Sequence, residues 1–280
     1  MINLLKFKDA KEYYESLGDD LVKGKNEEFK NREKPLWFNV GYWKDTETFE
    51  DACKNYADNL FNFGNLKDNC DILDVGFGFG VQDIHWAKKH NIKSIKGINI
   101  SPTQVRVARE LVEDAGLSNV IDLREGDAIS LDFDDESFDA VIALDCAYHF
   151  TTRKDFIKEA YRVLRPGGKL VFTDMMPIKE KNSRFGNFLL KLNAIPKENF
   201  YPKEHLFSFA ESVNFEDMRY EDISQWVFQG AAKFGEQRMK GKRVEDIKVK
   251  LNPKDEKKYR RPYNLSGIKR CYMFSMTKKH

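Results

Sequence analysis

The sequence predicts an α/β fold, a parallel sheet with helices on both faces, and three observations carry that prediction. Short apolar strands alternate with amphipathic helices of about ten residues or more between residues 70 and 176, a rhythm that calls for right-handed crossovers between parallel strands. Runs such as VIAL (141–144) are apolar without alternation, as strands buried on both faces are. A glycine-rich turn, Gly76-Phe77-Gly78-Phe79-Gly80, joins the first strand to its helix. Open α/β sheets bind ligands at such turns, beyond the carboxyl ends of the strands.

The elements follow in order. A first helix over 8–17 is stopped by Gly18. From Thr48 to Phe63, apolar residues recur at three- and four-residue steps (Phe49, Ala52, Cys53, Tyr56, Ala57, Leu60, Phe61), the stripe of an amphipathic helix. CDILDV (70–75) is a strand and VQDIHWAKKH (81–90) its helix; residues 93–100 form the second strand. Ser101 caps the next helix with Pro102 at its first position, running to about Gly116. NVIDLREG (119–126) and FDAVIALD (138–145) are strands, and RKDFIKEAYRVL (153–164) is a helix ending before Pro166-Gly167-Gly168. KLVFTDM (169–175) is the fifth strand. Beyond Met176 the rhythm loosens into an insertion over 177–215, followed by a strand at FEDMRYEDI, a helix to about Met239 and a last strand, IKRCYMFSMT.

Composition limits the class of molecule. The 280 residues are long enough to bury a core without disulfides or a structural metal, and 13% aromatics with a net charge of +2 exclude a disordered chain. Cys53, Cys70, Cys146 and Cys271 form no C-x-x-C pair, which excludes a zinc ribbon by spacing and argues against a secreted disulfide scaffold. The start, MINLLKFKDAKEYY, lacks the apolar run of a signal peptide, and no stretch approaches a membrane span. A soluble, cytoplasmic protein is expected. The small net charge conceals an asymmetry: residues 231–280 carry 16 Lys and Arg against 5 Asp and Glu, a net of +11 on a body of −9. The ordinary reading is a solvated face; the alternative is an anionic partner, nucleic acid or the surface of a membrane.

The glycine turn discriminates between nucleotide ligands. A dinucleotide fingerprint needs G-x-G-x-x-G and an acid at the end of the second strand, but counting from Gly76 its last glycine falls at Val81, and Asn99 stands at the acidic position. A nicotinamide-dependent oxidoreductase is therefore disfavoured. The observed D-x-G-x-G-x-G, in ILDVGFGFG, resembles the first motif of class I S-adenosylmethionine-dependent methyltransferases. GINISPTQ, EGDAISLDF, FDAVIALDCAYHF and RVLRPGGKLVFTDM resemble their following segments, in family order over about 70–176. The G-I-x-x-S-x-x-Q form narrows the likeness to the small-molecule branch of sugar O-methyltransferases, tocopherol and sterol methyltransferases and cyclopropane synthases, which also lacks the acid.

The resemblance implies a Rossmann-like, seven-stranded sheet of order 3-2-1-4-5-7-6 with an antiparallel last strand. It implies one domain over 1–280: an N-terminal lid and helices (1–64), a cofactor core (65–176), a cap (177–215) and C-terminal strands and helix (216–280). S-adenosylmethionine is the implied cofactor, S-adenosylhomocysteine its product, and no metal is expected. Asp74 and Gly76 would hold the loop under the methionine part, with Gly78 giving access to the backbone. Asn99 and Gln104 would face the ribose and carboxylate region, and Asp127 with Ala128 would read the adenine.

The fourth motif, Asp145-Cys146-Ala147-Tyr148-His149, lacks the signatures of DNA-base methylation, and Cys146 reads as a small core residue. His149 lies just past the fourth strand, and Asp174 ends the fifth on the same edge. Adjacent strands are only ~5 Å apart, so the pair is expected to act as general base and orienting carboxylate, with Tyr148 as a poorer substitute. The fragment resembles macrolide and rebeccamycin sugar O-methyltransferases, natural-product enzymes in which a His and an Asp serve this way. PLWFNVGYW resembles their lid element, with Tyr42 and Trp43 shielding the methyl group. The apolar residues of the insertion (Phe185, Phe188, Leu189, Leu190, Phe200, Tyr201, Leu206, Phe207) are expected to form the opposite wall, for an apolar or amphipathic acceptor. The expected function is methylation of a small molecule, at oxygen first, with nitrogen or carbon as the alternative. A nucleic-acid- or membrane-binding role for the basic segment is the reading from another class, nucleic acid being the less favoured partner.

Overall fold

A computed structural model describes residues 11–12, 14–16, 36–179, 184–192, 195–251 and 268–280. Residues 11–12 and 14–16 are helical, within the helix expected over 8–17, whose other residues lie outside the described part. Helix α1 (Phe49–Phe63) begins where the Thr48 hydroxyl accepts from the Asp51 N–H, and its apolar stripe is buried along its length. Then come β1 (Asp71–Val75), α2 (Val81–Lys89), β2 (Ser94–Asn99), α3 (Pro102–Asp114), β3 (Ile121–Glu125) and β4 (Phe138–Ala143). The 3₁₀ turn Ala147–His149 leads into α4 (Arg153–Val163) and β5 (Leu164–Pro177). The rest is α5 (Arg184–Leu192), a 3₁₀ turn Lys197–Asn199, α6 (Lys203–Ser212), β6 (Phe215–Asp222), α7 (Ser224–Met239) and β7 (Lys269–Lys278). Ser101 caps α3 through Gln104 N–H with Pro102 in its first turn, as its sequence predicts.

The seven strands form one sheet of order β3-β2-β1-β4-β5-β7-β6, parallel except for β7, which runs antiparallel to both neighbours. This is the order the resemblance implied. One element differs from the sequence reading: Pro166-Gly167-Gly168 does not separate helix from strand, because β5 already starts at Leu164, paired with Phe138. Gly167 takes φ +76° and the register against β4 shifts between Phe138 and Ala140, so the proline and glycines form an irregularity inside the strand, where a proline is tolerated.

Alternate residues of the strands feed two cores. Ile72 packs with Tyr56, Leu60 and Trp86 on one face, while its neighbour Leu73 packs with Phe138, Phe156 and Phe172 on the other. The strand order reverses between β1 and β4, which opens a crevice at their carboxyl ends.

The basic C-terminal segment is not one free face. Lys269 and Lys278 are buried in the sheet, and Lys278 donates to Leu164 O at 2.7 Å. Lys240, Arg243 and Lys250 pair with Glu236, Asp246 and Glu47; residues 252–267 lie outside the described part. Among the described residues, no helix is long and apolar enough to cross a membrane.

Candidate active site

The crevice is a cavity of about 640 Å³. The floor is the turn after β1. Gly76 adopts φ +86° and donates its N–H to Ile98 O at 2.8 Å, which ties the turn to β2. A Cβ there would stand 2.7 Å from Cys146 Sγ, so only glycine fits. Gly76 and Gly78 both line the cavity with their backbone.

Asp74 braces this turn from beneath. It is fully buried, off the cavity wall, and accepts from Gln82 Nε2 at 3.0 Å; the same amide donates to Phe77 O at 2.9 Å. Burial raises the Asp74 carboxyl to about 6, and burial with the Asp74 charge raises Asp83 on α2 well above the carboxylate range. Of the two acids, Asp83 is the one held more firmly in its neutral form.

Asn99 and Gln104 share one wall. Asn99 Nδ2 donates to Gln104 Oε1 at 2.6 Å, which turns the other end of the amide so that its donor is left over. Gln104 Nε2 is buried and has no hydrogen-bond partner among the described residues. A buried orphan donor beside a cavity suits a ligand that brings an acceptor, such as a carboxylate or ribose hydroxyl. Ala128 is buried on the next stretch of wall, and exposed Asp127, whose Oδ1 accepts from Ile129 N–H at 3.2 Å, stands at its rim. Backbone access at Gly76 and Gly78, the orphan donor of Gln104 and the Asn99 amide could hold the amino-acid and ribose ends of S-adenosylmethionine, and Asp127 with Ala128 lines the stretch of wall where its base would lie.

His149 stands across from this floor, at the end of the 3₁₀ turn and on the cavity wall. Its ring meets Tyr14 edge-on at 5.5 Å and Tyr148 at 4.2 Å. The carboxylate expected to orient it and the phenol expected as a substitute base are both otherwise engaged. Asp174 is fully buried and accepts from Arg153, Nε to Oδ2 at 2.5 Å and Nη2 to Oδ1 at 2.9 Å. This corrects the expectation that Asp174 orients His149: the guanidinium reaches the strand edge first and occupies both oxygens in a bidentate fork. Tyr148 is corrected too. Its hydroxyl donates to Asp145 Oδ1 at 3.1 Å, and burial followed by the Asp145 charge holds its proton well above pH 10. It cannot serve as a base near neutrality.

The lid residue Tyr42 is also misplaced by the sequence reading. It is buried in the core with its N–H on Ala52 O at 2.8 Å, while Phe38 and Asn39 line the cavity. Trp43 packs against Phe49 and Phe234, away from the cavity. The opposite wall is Ile195, Pro196 and Lys197 rather than the eight apolar residues of the insertion expected there. Of those, Leu190, Tyr201 and Leu206 are core, Phe200 and Phe207 are half-buried off the cavity, Phe188 is exposed, and the side chains of Phe185 and Leu189 lie outside the described part. Cys146 donates its thiol to Val75 O at 3.1 Å, and burial with nearby carboxylates pushes the thiol up, so no thiolate nucleophile forms.

Asp145 was missed, although it lies inside the fourth motif. It is buried, lines the cavity, has φ +56° and accepts from Val40 N–H at 2.8 Å. Burial raises its carboxyl to about 7 against the opposing pull of these hydrogen bonds and of Lys269. The only signal in the sequence is an acid directly after an apolar strand.

Comparison with known proteins agrees with this geometry. A methyltransferase-domain family model matches residues 73–172. Erythromycin 3''-O-methyltransferase of Saccharopolyspora erythraea is 32% identical over 205 residues, 69% of this chain and 66% of the relative. Ajmaline N-methyltransferase of Rauvolfia serpentina is 39% identical over 160 residues, 55% of each chain. The chain thus spans between about half and two thirds of the length of these curated relatives. Among solved structures, the 4+2 cyclase SpnF superposes with a TM-score of 0.71 over 97% of this chain and 96% of its own, at 22% identity. Phosphoethanolamine N-methyltransferase 2 of Haemonchus contortus, in complex with S-adenosyl-L-methionine, gives 0.65 over 81% of this chain and 53% of its own, at 19% identity. Likeness at such identities shows the fold. With the domain match, the strand order and the glycine turn together, residues 73–172 are a methyltransferase domain, on the seven-stranded fold of the class I S-adenosylmethionine-dependent enzymes.

Proposed function

We propose that this chain methylates a small organic acceptor at an oxygen, with His149 as the general base. The observation that carries the reading is the placement of His149 on the wall of the cavity whose floor is the glycine turn and whose side holds the Gln104 donor. S-adenosylmethionine, when bound, supplies an electrophilic methyl group. The chain's own tasks are then alignment, exclusion of water and removal of one proton. The Gly76–Gly78 backbone and Gln104 hold the donor side. Phe38 and Asn39 cover it, and Phe150, Ile195 and Pro196 give an apolar wall for an apolar or amphipathic acceptor. The imidazole of His149 takes the hydroxyl proton as the oxygen meets the methyl carbon.

The erythromycin relative, and a 27-O-demethylrifamycin SV methyltransferase 35% identical over 137 residues, support oxygen as the acceptor atom. The ajmaline relative supports the second reading, methylation at nitrogen, which needs less help from a base once the amine is neutral. The four cysteines are free, which supports the reducing setting of the cytoplasm.

The test is transfer of a labelled methyl group to a cell-extract fraction, with the product identified by mass. On that acceptor His149→Ala is expected to lose about 10²–10⁴ in kcat, with S-adenosylhomocysteine affinity within about twofold of the parent chain's. A loss in kcat below about tenfold refutes the base and favours the amine reading.

A further inference from the structure

We propose that Asp145 is the positioning residue that ties the segment covering the cofactor to the short helical turn carrying His149; this rests on the methyltransferase reading above. Asp145 takes a left-handed conformation, φ +56°, that side chains other than glycine rarely adopt. Three hydrogen bonds over-determine it. Its own N–H donates to Thr173 Oγ1 on β5 at 2.7 Å. Its Oδ2 accepts the Val40 N–H at 2.8 Å, and its Oδ1 accepts the Tyr148 hydroxyl at 3.1 Å. One buried side chain is therefore the node between the sheet edge, the segment 36–43 and the turn Ala147–His149.

Each arm reaches something the reaction needs. Two residues before Val40, Phe38 lies over the glycine turn, 3.6 Å from where a Cβ on Gly78 would stand and edge-on to Phe79 at 5.4 Å. On the other arm, the Tyr148 ring lies 4.2 Å from the His149 ring. Elsewhere the covering segment is anchored from behind, by Asn39 and Tyr42 on α1. The Val40 bond holds it from the cavity side. Loss of that bond loosens the cover on its cavity side, and loss of the Tyr148 bond loosens the turn that carries His149.

The role is one of acceptor geometry, which gives it a signature. An asparagine can still accept from Val40 through its oxygen and donate to a Tyr148 hydroxyl turned to accept; an alanine can do neither. On the full chain, release of S-adenosylhomocysteine is followed by stopped-flow fluorescence, kcat is measured on the acceptor, and melting temperature is recorded alongside. Asp145→Ala is expected to release S-adenosylhomocysteine about tenfold faster or more, the effect of losing one charge-assisted hydrogen bond, and to lower kcat. Asp145→Asn is expected to stay within about threefold of the parent in both. Tyr148→Phe is expected to lower kcat with release unchanged. Slow hydrogen exchange at the Val40 amide of the unmodified chain supports the tether without any variant, and exchange at the free-amide rate overturns it. Release from Asp145→Ala at the parental rate overturns it too, as does an Asp145→Asn no better than alanine. A parent chain that binds no S-adenosylhomocysteine overturns the methyltransferase reading itself, a separate result.

Discussion

Replacing Arg153 with methionine tests both the stability of the fold and the proposed acceptor wall. The guanidinium and the Asp174 carboxylate are both essentially inaccessible, at 1% and 0% side-chain exposure. Besides its two bonds to Asp174, Arg153 donates Nη1 to Asn199 O at 2.6 Å and Nη2 to Met175 O at 3.1 Å. Arg153→Met leaves a buried carboxylate uncompensated and two carbonyls short of a donor, which costs about 3–5 kcal/mol. For a chain of this size that is roughly 6–20 °C in melting temperature. The sign with pH follows from Asp174. Burial already raises its carboxyl, against the pull of Arg153, and without Arg153 it rises further. A folded-state value above the unfolded one stabilises below about pH 4 and is lost as pH rises toward the folded value. The deficit of Arg153→Met should therefore be larger at pH 8 than at pH 5, read by urea unfolding at each. Asp174→Leu in the same chain should recover most of it, since a well-packed apolar pair replaces a buried ion pair at little cost. The functional consequence is local. The Nη1 bond to Asn199 O is what the side chain adds to the turn Lys197–Asn199, which is also held by the Arg153 backbone N–H on Asn199 Oδ1 at 2.9 Å and by Asn199 Nδ2 on Phe150 O at 2.7 Å. Acceptor KM should rise while S-adenosylhomocysteine affinity holds. A deficit under about 1 kcal/mol at pH 8, against the ~3–5 expected, would refute the account of this brace.

Three further outcomes are expected. Gly76→Ala must place a Cβ 2.7 Å from Cys146 Sγ at φ +86°, and should lose roughly 2–4 kcal/mol in urea unfolding together with S-adenosylhomocysteine binding; normal titration by that ligand counts against the turn as its floor. Gln104→Leu removes the orphan buried donor, and calorimetry should show about tenfold weaker binding; unchanged affinity would place the ligand elsewhere. Asp83 is held protonated by burial and by the Asp74 charge, so its stabilising contribution is lost as pH rises above about 4. Asp83→Asn should therefore be more stable than the parent at pH 8, by about 1–3 kcal/mol, with the gain shrinking toward pH 4. A gain independent of pH would contradict a neutral Asp83.

The sheet was legible because its information is periodic. Alternation, caps such as Ser101-Pro102 and the glycine turn place six of the seven strands within two or three residues, and β5 differs only at its start, where Pro166 lies within the strand. One wall of the cavity was legible for a related reason. Gly76, Gly78, Asn99, Asp127 and Ala128 follow the ends of β1, β2 and β3, and Gln104 lies in the first turn of α3, so register brings them to one cavity. The acceptor side was not, because it depends on contacts between distant segments. Arg153 and Asp174 are 21 residues apart, and nothing in RKDFIKEAYRVL marks its first residue as a buried cation. Asp145 reads as a strand-end acid until Val40, 105 residues earlier, is seen to donate to it. Tyr42 was misplaced because lid and core aromatics look alike in sequence, and only the path of the backbone after Asn39 separates them.

The most direct measurement is calorimetric titration of the full chain with S-adenosylhomocysteine and, separately, with NAD. The account predicts saturable binding of one S-adenosylhomocysteine per chain, with no saturable heat from NAD. Saturation by NAD, or none by S-adenosylhomocysteine, would contradict it.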